Sequence, residues 1–310
     1  MTLRRHPGRR ADRTPGSLPL LRRLGLLLVA AGCLVAGWPA PAQAHAGGLV
    51  ATDARGSLVS VTPAVPGLSV TALEDGHRLR LVNGTGAPVV VPGGGGAGTP
   101  VTVAAGDTLT WMDARSTPAG RQVAPGQSVP WSFVLDAGGT PVTVQGLLVG
   151  SAAPAAPIWW ALTVAVAAGL VVLSRRVRRG DLLLAAAGMA AAGASIAHVV
   201  GSTLAVESMP LAGTFFDAAG INLLAWPLLA GGAFAVLRGR AAGVLAVCAG
   251  AALTAIFVLP DVTSFHRAVL PFGGPAVVER VLVVLALGAG AGVALAGGAV
   301  LRTLAQKASA

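Results

Sequence analysis

The sequence is poor in charge, aromatic side chains and cysteine. Charged residues make up 11% of the 310 positions, aromatic residues make up 4%, and tyrosine does not occur. Soluble domains usually carry about 25% charged residues, so this shortage excludes an ordinary soluble globular protein. Hydrophobic residues reach 54%, which indicates that much of the chain lies in lipid.

Short motifs of common enzymes are also missing. The chain contains no G-x-S-x-G, H-E-x-x-H or C-x-x-C, and its two cysteines are Cys33 and Cys248. Neither a nucleophile elbow nor a zinc-protease or redox motif is present, and we predict no enzymatic activity. A disulfide framework is excluded as well, because Cys33 falls in the predicted leader.

The formal net charge of +10 does not indicate nucleic-acid binding. Seven of the 22 basic residues precede His45, and the rest of the chain carries 15 basic against 11 acidic residues. The positive excess therefore belongs to targeting and topology. We expect the lipid bilayer, and no nucleic acid, as a partner.

Residues 1–44 have the three-part pattern of a secretory signal peptide. An arginine-rich stretch is followed by a short apolar core and by Ala42-Gln-Ala44, a small-residue cleavage signal. We predict cleavage before His45; a cut after Ala46, an uncleaved anchor and lipidation at Cys33 are the alternatives. An amino-terminal His45 offers its α-amine, imidazole and backbone nitrogen as ligands for Cu(II).

Residues 45–155 alternate between short β-prone runs and turn clusters. Runs of this length and spacing predict a small antiparallel, all-β, immunoglobulin-like sandwich, which the leader places outside the cytoplasm. Within it, His77 lies in an alternating strand and is expected at the surface. The predicted strands cover 57–62, 68–73, 77–83, 87–91, 101–103, 108–112, 129–136 and 140–149.

Residues 156–304 contain five apolar segments, each about 17–25 residues long, the length that crosses roughly 30 Å of hydrocarbon. The fold class predicted is thus a five-helix transmembrane bundle plus an extracytoplasmic β-sandwich. Close-spaced small residues, as in Gly288-x-Gly290-x-Gly292, indicate helices that approach each other within one chain. The predicted spans are 158–174, 182–204, 218–237, 241–259 and 277–301.

The distribution of basic residues predicts the orientation of the bundle. Loops 175–179 and 238–240 and the tail share one side with eight basic residues and one acid, whereas the other side carries seven basic residues and ten acids. By the positive-inside rule, the sandwich lies outside the cell membrane and the tail 305–310 is cytoplasmic.

A few polar residues in or near the apolar segments are candidates for chemistry. His198 lies inside the second span, Met209 and His266 lie in outer loops, and all three fall near the outer face with His45. Histidine and methionine are ligands for soft or borderline metals, so we predict a copper site formed by these four residues. The alternative is that His198 hydrogen-bonds a neighbouring helix.

One stretch of the outer domain carries a resemblance. The sequence Trp111-Met-Asp113-Ala-Arg115-Ser-Thr-Pro-Ala-Gly120 resembles the motif W-H-D-H-R-x-H-W-M-G of uncharacterised actinobacterial membrane proteins that consist of a signal, a β-domain and carboxyl-terminal helices. The resemblance extends over residues 66–150. The motif's histidines fall on Met112, Ala114 and Thr117, so any metal site that they form in those proteins is largely lost here.

These observations lead to three hypotheses about function. The first is a non-enzymatic envelope protein that is accessory to copper or other metal handling at the outer membrane face. The second is a structural or partner-binding membrane protein whose sandwich docks another envelope protein. The third is a small-solute permease, which the lack of an internal repeat disfavours.

Overall fold

The computed structural model describes residues 46–93 and 98–308, so the predicted signal peptide, Cys33 and His45 lie outside the described residues. A short 3-10 turn, Ala46–Gly48, leads into eight strands. The strands are β1 (Ala54–Thr62), β2 (Leu68–Leu73), β3 (Arg78–Asn83), β4 (Val89–Val91), β5 (Val101–Val103), β6 (Thr108–Trp111), β7 (Ser128–Ala137) and β8 (Thr140–Gly150).

The strands form two antiparallel sheets. One has the order β1-β8-β7-β4-β5 and the other the order β2-β3-β6. Alternate side chains of both sheets point into one shared hydrophobic core, in which Trp131 stacks on Phe133. Gly146 faces this stack, and a Cβ there would overlap the Trp131 ring, so a side chain at that position is excluded.

The predicted β-domain is confirmed. All eight predicted strands are observed, with ends that shift by at most three residues, because alternation and turn chemistry are local properties of the sequence. The strand order differs from that of an immunoglobulin constant domain, where the first two strands are neighbours in one sheet. Here β1 pairs with the last strand, β8.

Six α-helices follow the sandwich. Four of them are long and apolar enough to cross a membrane, and a bent pair raises the number to five if it counts as one span. The helices are α1 (Ala156–Arg176), α2 (Gly180–Leu204), α3 (Leu211–Ala219), α4 (Asn222–Leu237), α5 (Ala241–Val258), which a 3-10 turn (Leu259–Phe265) extends, and α6 (Ala276–Ala308).

The third predicted span is not one straight helix. Helices α3 and α4 meet at an angle of 67°, and Gly220 between them has a φ of 46°, which favours glycine. The Phe257 ring lies close enough that a Cβ at Gly220 would be 2.8 Å from it. The apolar run 218–237 is continuous in sequence, so it hides this break.

Small residues pack the helices against one another, as predicted. A Cβ on Gly288 would be 2.9 Å from the Thr163 carbonyl oxygen of α1, and one on Gly290 would be 2.8 Å from the Ala251 carbonyl oxygen of α5. Helix α6 therefore lies between α1 and α5 at close backbone distance. The glycine series serves packing within the chain.

Candidate functional site: a buried histidine between two carboxylates

His198 lies between two acidic side chains inside the helical bundle. Its Nε2 is 3.1 Å from an oxygen of Asp261, and its Nδ1 is 2.8 Å from an oxygen of Glu279. All three side chains are at most 4% exposed. Ionisable groups are costly among apolar helices and are usually functional or mutually compensated there, so this His198 cluster is the most informative feature of the bundle.

Three separate elements bring the cluster together. Ser195, His198 and Ser202 recur on one face of α2 at intervals of three and four residues, which line up along a helix, and all three are buried. Asp261 follows α5 in the 3-10 turn, and Glu279 lies in the first turn of α6. The cluster therefore forms where the ends of α5 and α6 meet α2.

The two ring nitrogens of His198 lie against groups of the same kind. A neutral imidazole has one donor nitrogen and one acceptor nitrogen, whereas an ionised carboxylate only accepts. A neutral His198 can therefore donate to only one of the two carboxylates that lie against its ring. The cation Arg280 follows Glu279 in the chain.

Arg280 extends the cluster towards the loop between α5 and α6. Its Nε donates to the Ser264 carbonyl and its Nη2 donates to the Arg267 carbonyl, each at 2.8 Å. Its guanidinium carbon also lies 5.9 Å from the centre of the Trp159 ring. The side chain of Arg280 is largely buried, so these bonds hold the loop firmly on the bundle.

The loop between α5 and α6 also forms hydrogen bonds with the sandwich. Thr52 and Val269 form a two-residue antiparallel bridge, with a 2.9 Å hydrogen bond in each direction. Asp53 pairs with Arg267 and accepts a hydrogen bond from the Ala268 N–H. The loop 259–270 thus contacts the His198 cluster on its bundle side and the residues just before β1 on its sandwich side.

A second contact joins the sandwich to the loop between α2 and α3. One oxygen of Glu74 accepts hydrogen bonds from the N–H groups of Glu207 and Ser208, both at 3.1 Å, and from the Ser208 hydroxyl at 2.6 Å. Arg78 pairs with Glu74 and donates to the Ser208 hydroxyl. Arg80 donates to the Glu207 carbonyl.

The backbone at this second contact is strained. Glu74 and Asp75 have φ values of 54° and 56°, a left-handed conformation that costs a non-glycine residue about 1–2 kcal/mol. Such strain persists only where the surroundings hold it in place. The hydrogen bonds to Glu74 supply that restraint, so the contact is a defined joint between sandwich and helices.

The prediction that His77 lies at the surface is wrong. His77 is 5% exposed, and its ring nitrogens lie 2.7 Å from the Glu74 carbonyl oxygen and 3.1 Å from the Val50 carbonyl oxygen. It lies at the joint because the sandwich end that carries it faces the helices. The alternation of polar and apolar residues along a strand does not indicate which end of the sandwich faces the helices.

The predicted metal ligands occupy separate surroundings. Both ring nitrogens of His198 face carboxylates, His266 is exposed and accepts a hydrogen bond from Trp160 at 3.3 Å, and Met209 is 42% exposed. Among the described residues, no group of three or more His, Cys, Asp or Glu is arranged to hold a metal ion. Because His45 lies outside them, the four-residue copper site stays a prediction.

The stretch that carries the resemblance forms a compact turn at the edge of the sandwich. Arg115 donates to both carboxylate oxygens of Asp113, at 2.8 and 2.7 Å, and covers the Phe133 ring at 4.6 Å. Burial alone would raise the pKa of the Asp113 carboxyl, but the hydrogen bonds and charge of Arg115 outweigh burial and lower that pKa. Asp113 and Arg115 therefore have structural partners, whereas Met112 and Ala114 are exposed.

Sequence reasoning missed Asp261 as a partner of His198. The residue follows Leu259-Pro260 at the end of an apolar run, where an acid is ordinarily solvated, and three further helices separate it from His198 along the chain. The structure brings Asp261 and Glu279 to one imidazole ring.

Comparisons with known proteins assign neither a family nor a function to this chain. No family model, no curated protein and no solved structure matches the chain.

Proposed function

We propose that the chain is a non-enzymatic integral membrane protein that holds its β-sandwich rigidly on the outer face of a five-span bundle, where the sandwich binds a partner in the envelope. The observation that carries this proposal is the two-sided attachment of loop 259–270. Asp261 and the Arg280 contacts attach the loop to the bundle, and Arg267 and Val269 attach it to the sandwich.

A binding domain that is fixed rigidly on the bundle differs from one that is joined to it only by a flexible linker. Domain interfaces within a chain usually permit relative motion unless they are extensive or well bonded. Here a backbone bridge, ion pairs and a strained turn fix the sandwich at two loops. A module held in this way keeps one orientation relative to the membrane, which favours binding to a partner that is itself oriented there.

Reporter fusions test the topology on which the proposal depends. Fusions after Arg179 and Arg240 are expected to report the cytoplasm, because the adjoining loops are basic. Fusions after Val206 and Phe265 are expected to report the outside, on the side of the loops that contact the sandwich. A cytoplasmic signal from Val206 or Phe265 would contradict both the orientation and the bent α3–α4 pair as one span.

Copper handling is the second candidate, and the position of Met209 favours it. Gly47 packs on this side chain, since a Cβ at Gly47 would be 3.6 Å from the Met209 sulfur, and His45 is two residues earlier in the chain. We expect Met209→Leu, which conserves volume, to weaken Cu(I) binding about tenfold or more, as measured by competition titration of the purified protein. Equal affinity of the two proteins would assign Met209 to packing against Gly47.

A further inference from the structure

The outward face of the five-stranded sheet carries very little charge. Among the outward positions of β1, β8, β7 and β4, all of which are described, the charged residues are Arg55 and Asp136, at opposite ends of the sheet. Solvated faces of antiparallel sheets are normally polar, and charge there prevents unwanted association. The exposed apolar side chains of this face are Val59, Pro130, Val134 and Val149, and Leu147 on β8 is partly buried.

This face stands sideways to the membrane. The contacts to the helical loops come from residues 52–53 and 74–80, which lie at one end of the sandwich. At that same end Ala54 pairs with Gly150, whereas Thr62 and the β7–β8 turn lie at the other end. Strand β8, with 11 residues, therefore rises about 36 Å from the bundle at about 3.3 Å per residue.

The face approaches the size of a stable interface. Its four strands have 9, 11, 10 and 3 residues, and with strands about 4.8 Å apart the projected area is roughly 500 Å². A standard protein interface covers about 800 Å² on each partner. Two shallow depressions, of about 340 and 370 Å³, lie on this face, the first beside Val59 and Leu147 and the second beside Val134.

We propose that this sheet face binds the same face of a second copy of the chain. The inference rests on the proposed function, because membrane insertion gives every copy the same height and orientation, and it names the partner of the sandwich. Two copies then meet across a two-fold axis along the membrane normal, the commonest symmetry of homo-oligomers. With that axis on β8, Leu147 meets its own counterpart.

Charge is consistent with a second copy as the occupant. Rotation about an axis on β8 places β1 of one copy against β7 of the other. Arg55, at the membrane end of β1, then faces the Ser128 end of β7, and Asp136 faces the distal end of β1 near Thr62. No charge meets a like charge, whereas a strongly acidic or strongly basic partner would find a single opposite charge on this face, Arg55 or Asp136.

The mass of the full-length protein in detergent, measured by light scattering or native mass spectrometry, tests the proposal. We expect the wild-type chain to be a dimer and Leu147→Glu to be a monomer, because it places two carboxylates at the axis. Val134→Lys, at a side chain that is 50% exposed, is a second disrupting variant with little risk to folding. Val82→Glu, on the other sheet and 39% exposed, is the matched control and should stay dimeric.

A single cysteine reports the axis directly. In a chain with Cys33→Ser and Cys248→Ala, Leu147→Cys is expected to form a disulfide-linked dimer under mild oxidation, whereas Val82→Cys is not. A monomeric wild type, or a dimer that persists in both Leu147→Glu and Val134→Lys, would overturn the inference. Either result leaves the reporter-fusion topology unchanged, so failure of the sheet interface and failure of the membrane assignment are distinguishable.

Discussion

Replacing His198 with alanine is expected to lower the free energy of unfolding by about 3–5 kcal/mol, the usual cost of removing one partner from a buried ionic group. Asp261 and Glu279 would then face each other in an apolar bundle without the imidazole between them. Unfolding of the purified protein by SDS titration in mixed micelles measures the loss. His266→Ala is the matched control, because His266 is exposed and surface substitutions usually change stability by less than about 0.5 kcal/mol.

A second substitution separates charge compensation from simple packing. If uncompensated charge causes the loss, adding Glu279→Gln to His198→Ala removes one of the two carboxylates and restores part of the stability. Residues in one ionic network show such non-additivity, with coupling of about 0.5–3 kcal/mol. Additive losses in the double variant would mean that His198 contributes only volume.

Local chemistry explains why the sandwich was predictable. Each strand of the domain is a short alternating run bounded by turn residues, and residues such as Leu68–Leu73 and Val101–Val103 were delimited without error. Sheet order was not predictable in the same way. The pairing of β1 with β8 joins residues 81 to 96 positions apart, and nothing in either strand specifies the other.

The helices were likewise predictable where the local sequence determines them and not where packing between helices does. Length and hydropathy delimit α1, α2, α5 and the start of α6, because a span needs about 20 apolar residues. The bend between α3 and α4 falls at Gly220, which the Phe257 ring of α5 approaches closely. A break caused by a neighbouring helix leaves no mark in an apolar run.

Of the candidate site, only His198 was predicted from the sequence, because ionisable groups are rare in apolar segments. Its Nδ1 lies 2.8 Å from an oxygen of Glu279 on α6. Their pairing with Asp261 depends on the order of helices around the bundle. That order is fixed by small-residue contacts such as Gly290 against Ala251, which are not specific enough in sequence to identify partners.

A disulfide across the bridge between sandwich and bundle tests the central claim, that the sandwich is fixed on loop 259–270. Thr52 and Val269 exchange two backbone hydrogen bonds, a geometry with Cα atoms about 5.5 Å apart, within the range of about 4.4–6.8 Å that a disulfide spans. The variant combines Thr52→Cys and Val269→Cys with Cys33→Ser and Cys248→Ala. Its control pairs Val59→Cys with Val269→Cys, since Val59 lies roughly 20 Å further along an extended chain.

The measurement is the number of thiols that remain reactive to a polyethylene-glycol maleimide after mild oxidation of membranes and denaturation. With the sandwich fixed on the loop, the Thr52/Val269 pair is protected as an intramolecular disulfide and shows no mobility shift, whereas the Val59/Val269 pair shows no such intramolecular protection. Full reactivity of both thiols in the Thr52/Val269 variant, at the level seen in the control, would contradict the account and mean that the sandwich is tethered to the bundle without being held by it.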